Sequence, residues 1–403
     1  FWPENFRIND LVLELEKKGH EITLLTGIPN YPDGKIFQDY KKNPNKYSKF
    51  SKTQIIRIPI ILRSKGMFKL ILNYLSFVFS ASIFGIYKLK NKKFDVIFIY
   101  EPSPITVALP AILFSKIRRI PTVFWVLDLW PDTLSAVGIV KSRLLLKILS
   151  FLSSFIYNRV TMILGQSQSF IPSILKYCKR HKNVYYFPSW SEIIFRNLDN
   201  IKKANEITEQ KKCFNIIFAG NIGEAQDFPS IIRCIKLLKN EKNIRWFVIG
   251  DGRKYNWLKN QIKIEGLEKN IYLIGRYPID RMPSFFAHAD ALLISLKNEK
   301  AFSMTIPAKL QTYLASGIPI LGMLNGEGAE IINNSQSGFA CNAGNYEELS
   351  KLVKKLSLLS KKERETMGIY GKQYSSQIFD REILIKKLEN FFIQAIKINN
   401  LKN

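Results

Sequence analysis

Apolar positions along the chain fall into short continuous runs separated by helical patterns. In "INDLVLELEKKGHEITLLTG", Leu11 and Leu15 mark one face of a helix, Gly19 ends it, and Ile22–Leu25 reads as a strand. "FDVIFIY" (94–100) and "PTVFWVL" (121–127) are apolar without alternation, as expected for strands buried on both faces. Residues 160–165 and 184–187 read as two more short strands. The polar stretch 188–212 then interrupts the pattern. A second alternation follows, with strands at 214–219, 244–249, 271–274, 291–295 and 318–321 and helices at 227–239, 254–264, 280–288 and 306–316. A helical tail closes the chain. Such alternation predicts an α/β protein with two parallel, doubly wound domains and ligands at the carboxyl ends of their strands. The expected division is 1–190, a linker at 191–212, a second domain at 213–372 and a tail at 373–403.

The pattern breaks at "LILNYLSFVFSASIFGIY" (70–87), which lacks any charge and is flanked by Lys69, Lys88 and Lys90. Three readings fit it: a spanning helix, a core helix, or a helix lying in a bilayer interface. Its aromatics suit a boundary position, and the expectation is the interfacial one.

Charge sharpens that expectation. The 403 residues carry a net charge of +27. Residues 1–190 hold 28 Lys and Arg against 11 Asp and Glu, and between Asp39 and Asp95 there are thirteen basic residues and no acidic one. A block of this kind attracts phosphates, whether of lipid, nucleic acid or substrate. The basic residues interleave with long apolar runs, which favours lipid over nucleic acid. The start, "FWPENFRIND", lacks the basic-then-apolar order of a secretory signal and reads as a loop entering a helix with no strand before it. Four cysteines without Cys-x-x-Cys spacing, and three scattered histidines (His20, His181, His288), give no disulfide framework and no metal set. The histidines read as structural.

The candidate chemistry concentrates in three stretches. In "IPAKLQTYLASGIPILG" (306–322), Pro307 opens a helix, Thr305 is available as its cap, and Gly317 and Pro319 end it. Lys309 falls in the first turn, where the helix dipole disfavours a cation, so an anion such as phosphate is expected beside it. "FAGNIGEAQDF" (218–228) is a strand followed by a turn in which Gly220 and Gly223 permit close approach of a ligand to the backbone. "WVLDLWPD" (125–132) sets Asp128 and Asp132 at a strand's carboxyl end, where a carboxylate can orient a hydroxyl; Asp132 also reads as a helix cap. "VIGDG" (248–252) is a lone Gly-x-Gly, read as a structural turn. Neither a dinucleotide fingerprint nor a Walker motif is present.

With "KKGHEITLLTGIPNYPDGK" and "NGEGAEII", these stretches resemble glycosyltransferase family 4 over nearly the whole chain, in order, and are most similar to the N-acetyl-L-fucosamine transferase type of bacterial O-antigen clusters. The resemblance implies a GT-B fold, two facing Rossmann-like domains with a sugar nucleotide between them. It implies metal-independent transfer, with retention of anomeric configuration, to a polyprenyl-diphosphate-linked sugar. It also implies a first strand ahead of the "FWPEN" loop, so that the numbering describes a truncated chain. The chain departs from the family pattern in three places. The paired glutamates fall on Met304 and Thr312, the basic pair on Asn221 and near Asp227, and Leu127 replaces a histidine before Asp128.

The expected roles follow. Lys309 and the helix N-termini near 227 and 307 neutralise the departing diphosphate. Gly220, Asn221, Gly223 and Glu224 form the nucleotide turn. Arg276 and Tyr277 frame the uracil, Arg7 reaches the phosphates, and Gln311, Thr312 or Glu327 takes over the ribose contact. Asp128 orients the acceptor hydroxyl. The expected activity is transfer from a UDP-sugar, an N-acetylated deoxyamino sugar, without metal or cofactor. Its expected partners are a lipid-linked oligosaccharide and an anionic membrane, its place is the cytoplasmic face of the plasma membrane, and its setting is O-antigen or capsule assembly. Two alternatives are a GT-B sugar-nucleotide 2-epimerase and a basic nucleic-acid-binding protein.

Overall fold

The computed structural model describes residues 6–30, 34–64, 66–136, 138, 140, 142–180, 182–198, 201–210 and 213–401. The "FWPEN" loop and His181 lie outside the described residues.

The first domain begins with helix α1 (Phe6–Lys17), followed by strands β1 (Thr23–Gly27), β2 (Lys49–Phe50) and β3 (Thr53–Ile58). Helix α2 (Met67–Ser80) leads through a π-helical turn (Ala81–Gly85) into Ile86–Leu89. The chain then alternates through β4 (Ile97–Glu101), α3 (Ala108–Arg118), β5 (Thr122–Val126), α4 (Arg143–Tyr157), β6 (Met162–Gly165), α5 (Phe170–Tyr177) and β7 (Val184–Tyr186). The strands form two sheets, β1-β3-β2 and β4-β5-β6-β7, rather than the one expected. All pairs are parallel except β2 with β3. The β2–β3 hairpin was not foreseen, because it lies within the basic block, where polar residues mask the pattern of Ile55, Ile56 and Ile58.

The second domain contains β8 (Phe214–Ala219), α6 (Phe228–Leu237), β9 (Ile244–Ile249), α7 (Tyr255–Ile264), β10 (Ile271–Gly275), β11 (Ala291–Ser295), α8 (Ala308–Ser316), β12 (Ile320–Met323), α9 (Glu327–Asn334), β13 (Gly338–Cys341), α10 (Tyr346–Leu358) and α11 (Lys361–Ile378). Its sheet is parallel throughout, ordered β10-β9-β8-β11-β12-β13. Every residue of β8, β9 and β11 is buried, as their unbroken apolar runs predict.

Two domain boundaries shift. The linker's Phe195, Ala204 and Ile207 are packed into the second domain's core. The tail divides at Phe379: α11 packs on α8, whereas α12 (Arg381–Asn400) returns to the first domain. There Leu384, Ile385 and Leu388 share a core with Ile8, Leu11, Val123 and Trp125. Asp10 of α1 ties both crossing segments, accepting from Trp190 Nε1 at 2.8 Å and pairing with Arg381 at 2.7 Å.

The stretch 70–87 is not a core helix. Its outer side chains are exposed, Phe79 to 65% and Ile83 to 63%.

Candidate active site

The donor side is built where β8 ends. Gly220 has φ +132, a backbone conformation that costs glycine little. A Cβ there would stand 2.6 Å from Lys309 Cε, so the missing side chain is what lets the lysine lie across the turn. Lys309 enters from α8. Its Nζ stands 3.5 Å from the centre of the Phe218 ring and has no hydrogen bond or ion pair among the described residues. Burial without a counter-charge pushes its amine down to about 7. The N-cap of α8 is Pro307, and no side chain caps it. Thr305 does not cap this helix as expected; its hydroxyl donates to the Ala301 carbonyl at 2.9 Å. An unpaired cation and an uncapped helix N-terminus therefore meet at one glycine turn, a combination suited to a diphosphate.

Around this point the turn is tightly built. Asn221 is exposed, and its side-chain ends would lie 2.6 Å from a Cβ on Gly223 and on Gly252. Gly223 N donates to Gln226 Oε1 at 3.1 Å. Gly250 packs against the Gly220 carbonyl, so "VIGDG" is the structural turn expected. Glu224 is held by two lysines, Lys254 at 2.6 Å and Lys297 at 3.0 Å, which keep its carboxyl below the usual range. The sequence reading overlooked both lysines. They bring further positive charge to the rim of the turn.

Other expected donor contacts are already engaged. Tyr277 packs against Phe285, with ring centres 4.8 Å apart, and lies under the Arg281 guanidinium, so it offers no open platform for a base. Arg276 lies exposed beyond β10. Gln311 is fully buried and both ends of its amide lack a partner among the described residues, so it does not line the cleft. Thr312 donates to Glu192 of the linker at 3.0 Å. Arg7 bonds the Tyr100 hydroxyl and lies near Glu192.

Glu327, expected at the ribose, instead spans the two domains. Its carboxylate accepts from Gln168 N at 2.9 Å and Ser169 N at 2.8 Å, at the start of α5. Met304, at the position of the family's first glutamate, joins the same contact: its carbonyl accepts from Ser167 Oγ at 2.5 Å. A carboxylate at a helix N-terminus is favourable, so this contact holds the cleft closed on that side.

On the opposite wall, Asp128 follows β5. It accepts from Trp130 Nε1 at 3.2 Å and bonds the Ser103 and Thr133 hydroxyls, while burial raises its carboxyl. Behind it stands Glu101, at the end of β4, fully buried. Its Oε2 accepts from Asp128 N at 3.4 Å, and burial together with the Asp128 charge holds it well above the usual range. Sequence reasoning missed Glu101, although its place after "FDVIFIY" mirrors that of Asp128 after its own strand. Asp132 opens a short helix, and burial raises it as well. His288 Nε2 donates to the Ala204 carbonyl at 2.8 Å, and His20 meets Glu389 at 3.0 Å; both have structural partners.

Residues 199–374 match the family of glycosyl transferases group 1. The chain is 25% identical over 319 residues, 76% of each chain, to an Escherichia coli (strain K12) protein described as a colanic acid biosynthesis glycosyl transferase, WcaI. It is 26% identical over 215 residues to the Escherichia coli O-antigen biosynthesis glycosyltransferase WclY, covering 47% of this chain and 58% of that one. Its fold matches the sucrose-phosphate synthase of Thermosynechococcus elongatus with TM-score 0.73 at 11% identity, covering 98% and 94% of the two chains. It also matches Anabaena HepE, solved with UDP and glucose, with TM-score 0.63 at 14% identity, covering 92% and 99%. The two parallel-sheet domains are those of the GT-B fold, and the chain is a glycosyltransferase of family 4, group 1.

Proposed function

We propose that the enzyme transfers a sugar from a UDP-sugar to a polyprenyl-diphosphate-linked acceptor in polysaccharide assembly, on the cytoplasmic face of the plasma membrane. One observation carries the donor half of this reading: the unpaired Lys309 ammonium at the uncapped N-terminus of α8, against Gly220. HepE, whose fold this chain shares, was solved with UDP. WclY and WcaI, described as acting in O-antigen and colanic acid biosynthesis, support the polysaccharide setting.

In this reading the chemistry divides between the domains. The sugar–phosphate bond breaks as Lys309 and the α8 amides take up the charge developing on the diphosphate, so no metal is needed. Asp128, fixed by Trp130, orients the acceptor hydroxyl. The departing phosphate oxygen takes that hydroxyl's proton, and the new bond forms on the face the diphosphate leaves, which retains configuration. The donor sugar is an N-acetylated deoxyamino sugar. The test offers a panel of UDP-sugars, each labelled in the sugar, to the purified protein with bacterial lipid extract. Label entering the organic phase from one donor is the expected result; no transfer from any donor would contradict the reading.

A further inference from the structure

The apolar stretch 70–87 is left unexplained by the transfer chemistry. Within Met67–Leu89 the apolar window has a mean hydropathy of 1.7, yet only 17% of it is buried. Phe79, Ile83 and Tyr87 face outward. Two further helices extend this surface. α3 packs against both α2 and α4 and exposes Leu113 and Ile117. α4 exposes Leu144, Ile148 and Phe151 at helical spacing, Phe151 to 74%. Between the π-helical turn and the strand-end loop runs an apolar groove of about 360 Å³, lined by Pro59, Ile60, Ile61, Phe79, Ile83 and Phe84. Contiguous apolar surface on this scale marks an interaction site.

The charge around it identifies the partner. Lys69, Lys88 and Lys90 flank α2, Arg118 and Arg119 end α3, and Arg143 and Lys147 lie on α4. A second copy of this chain would bring the same positive charge against it, whereas an anionic lipid surface complements both the cations and the apolar face. The inner side of α2 is bonded to the protein. Asn73 Nδ2 donates to the Ile61 carbonyl, Ser76 Oγ accepts from Ile61 N at 2.9 Å, and a Cβ on Gly85 would lie 2.9 Å from Leu25. Crossing a bilayer would strip these contacts away. Tyr74, on the same side, meets Trp130 with ring centres 6.4 Å apart, and Trp130 holds Asp128. The lipid-facing helix thus borders the wall that carries the acceptor carboxylate.

We propose that α2, α3 and α4 form one docking face that lies in the interface of an anionic bilayer, with α2 embedded along its length and not spanning. Trp130 and Asp128 then stand at the height where a lipid-linked acceptor presents its sugar. This deepens the lipid-acceptor reading and rests on it for the purpose of the docking.

The experiment floats the full chain with vesicles of phosphatidylethanolamine and phosphatidylglycerol, and with phosphatidylcholine alone. Binding to the anionic vesicles should exceed binding to the neutral ones by at least tenfold. Phe79→Ser with Phe151→Ser should weaken it tenfold or more, and Lys88→Gln with Lys90→Gln by roughly fivefold per lysine. Affinity for UDP-N-acetylglucosamine in solution, unchanged in these variants, shows that they are folded. Depth is read with Phe79→Trp and lipids brominated near the headgroup or near the bilayer centre, with the wild-type signal subtracted. Stronger quenching by the shallow bromines is expected. Stronger quenching by the deep ones, or no preference for anionic vesicles, overturns the proposal. Failure of vesicle binding with intact nucleotide binding removes the docking face alone; the reverse removes the donor site alone.

Discussion

Lys309 makes a prediction that can be read as a proton count. In the unliganded protein burial holds its amine at about 7. At pH 8 about one molecule in ten carries the charge, and a bound diphosphate restores it in the rest. Donor binding should therefore take up about 0.9 proton at pH 8, about 0.5 at pH 7 and about 0.1 at pH 6. Above pH 7 the affinity should fall by up to about tenfold per pH unit until the amine of the complex itself titrates. A UDP-sugar is the right probe, because its diphosphate, esterified at both ends, does not titrate in this range. The assay is calorimetry of UDP-N-acetylglucosamine binding at each pH in buffers of different ionisation enthalpy. Lys309→Ala should abolish the uptake and weaken binding by roughly 1.5–3 kcal/mol, as for a lost charge-assisted hydrogen bond. Lys309→Arg, always charged, should bind without uptake. The same group has a stability signature of definite sign. Its folded value lies below the unfolded one, so the penalty is fully present below about pH 7 and fades as pH rises towards 10.5. An uptake near zero at pH 8, or one that survives in Lys309→Ala, would refute the placement of the diphosphate at this lysine.

Three further outcomes follow from the site. Glu327→Ala should remove the cap on α5 and the tie between domains, costing about 1 kcal/mol in denaturant unfolding and enlarging the radius of gyration of the unliganded chain in X-ray scattering; no change in either would mean that the contact holds nothing. Glu101 titrates higher folded than unfolded, so the stability it gives is fully present below its unfolded value of about 4.5 and is lost as pH rises through its folded value. Glu101→Gln should flatten that dependence and keep turnover within about threefold, whereas Glu101→Ala should destabilise by roughly 2–3 kcal/mol, both measured by urea unfolding from pH 4 to 8. Gly220→Ala sets a methyl group against Lys309 Cε and should weaken donor binding at least tenfold, while Gly19→Ala, also at positive φ but with open space around it, should leave donor affinity untouched.

Much of the fold was legible because buried parallel strands must be apolar on both faces: β5, β8, β9 and β11 announce themselves as unbroken runs. Helix ends were legible where glycine marks them, as at Gly317 with φ +69. The hairpin of β2 and β3 was not, being short and laden with lysine, and neither was the split of the tail, since α11 and α12 carry similar patterns but pack on different domains. In the site, the pairing of Lys309 with Gly220 followed from local chemistry, because a cation in a helix's first turn needs an anion and a glycine turn admits one. The fates of Glu327, Thr312 and Tyr277 depend on neighbours far away in sequence (Gln168, Glu192 and Arg281), which no local pattern displays. Glu101 escaped notice because an acid at a strand end is exposed more often than buried.

The account stands on the seat of the donor's diphosphate, and a crystal structure of the chain soaked with UDP tests it most directly. The predicted result is a diphosphate oxygen within about 3 Å of Lys309 Nζ, with the backbone of the Gly220 turn and the first amides of α8 facing the other oxygens. Density for UDP elsewhere in the cleft, with Lys309 still lying on the Phe218 ring, would contradict it.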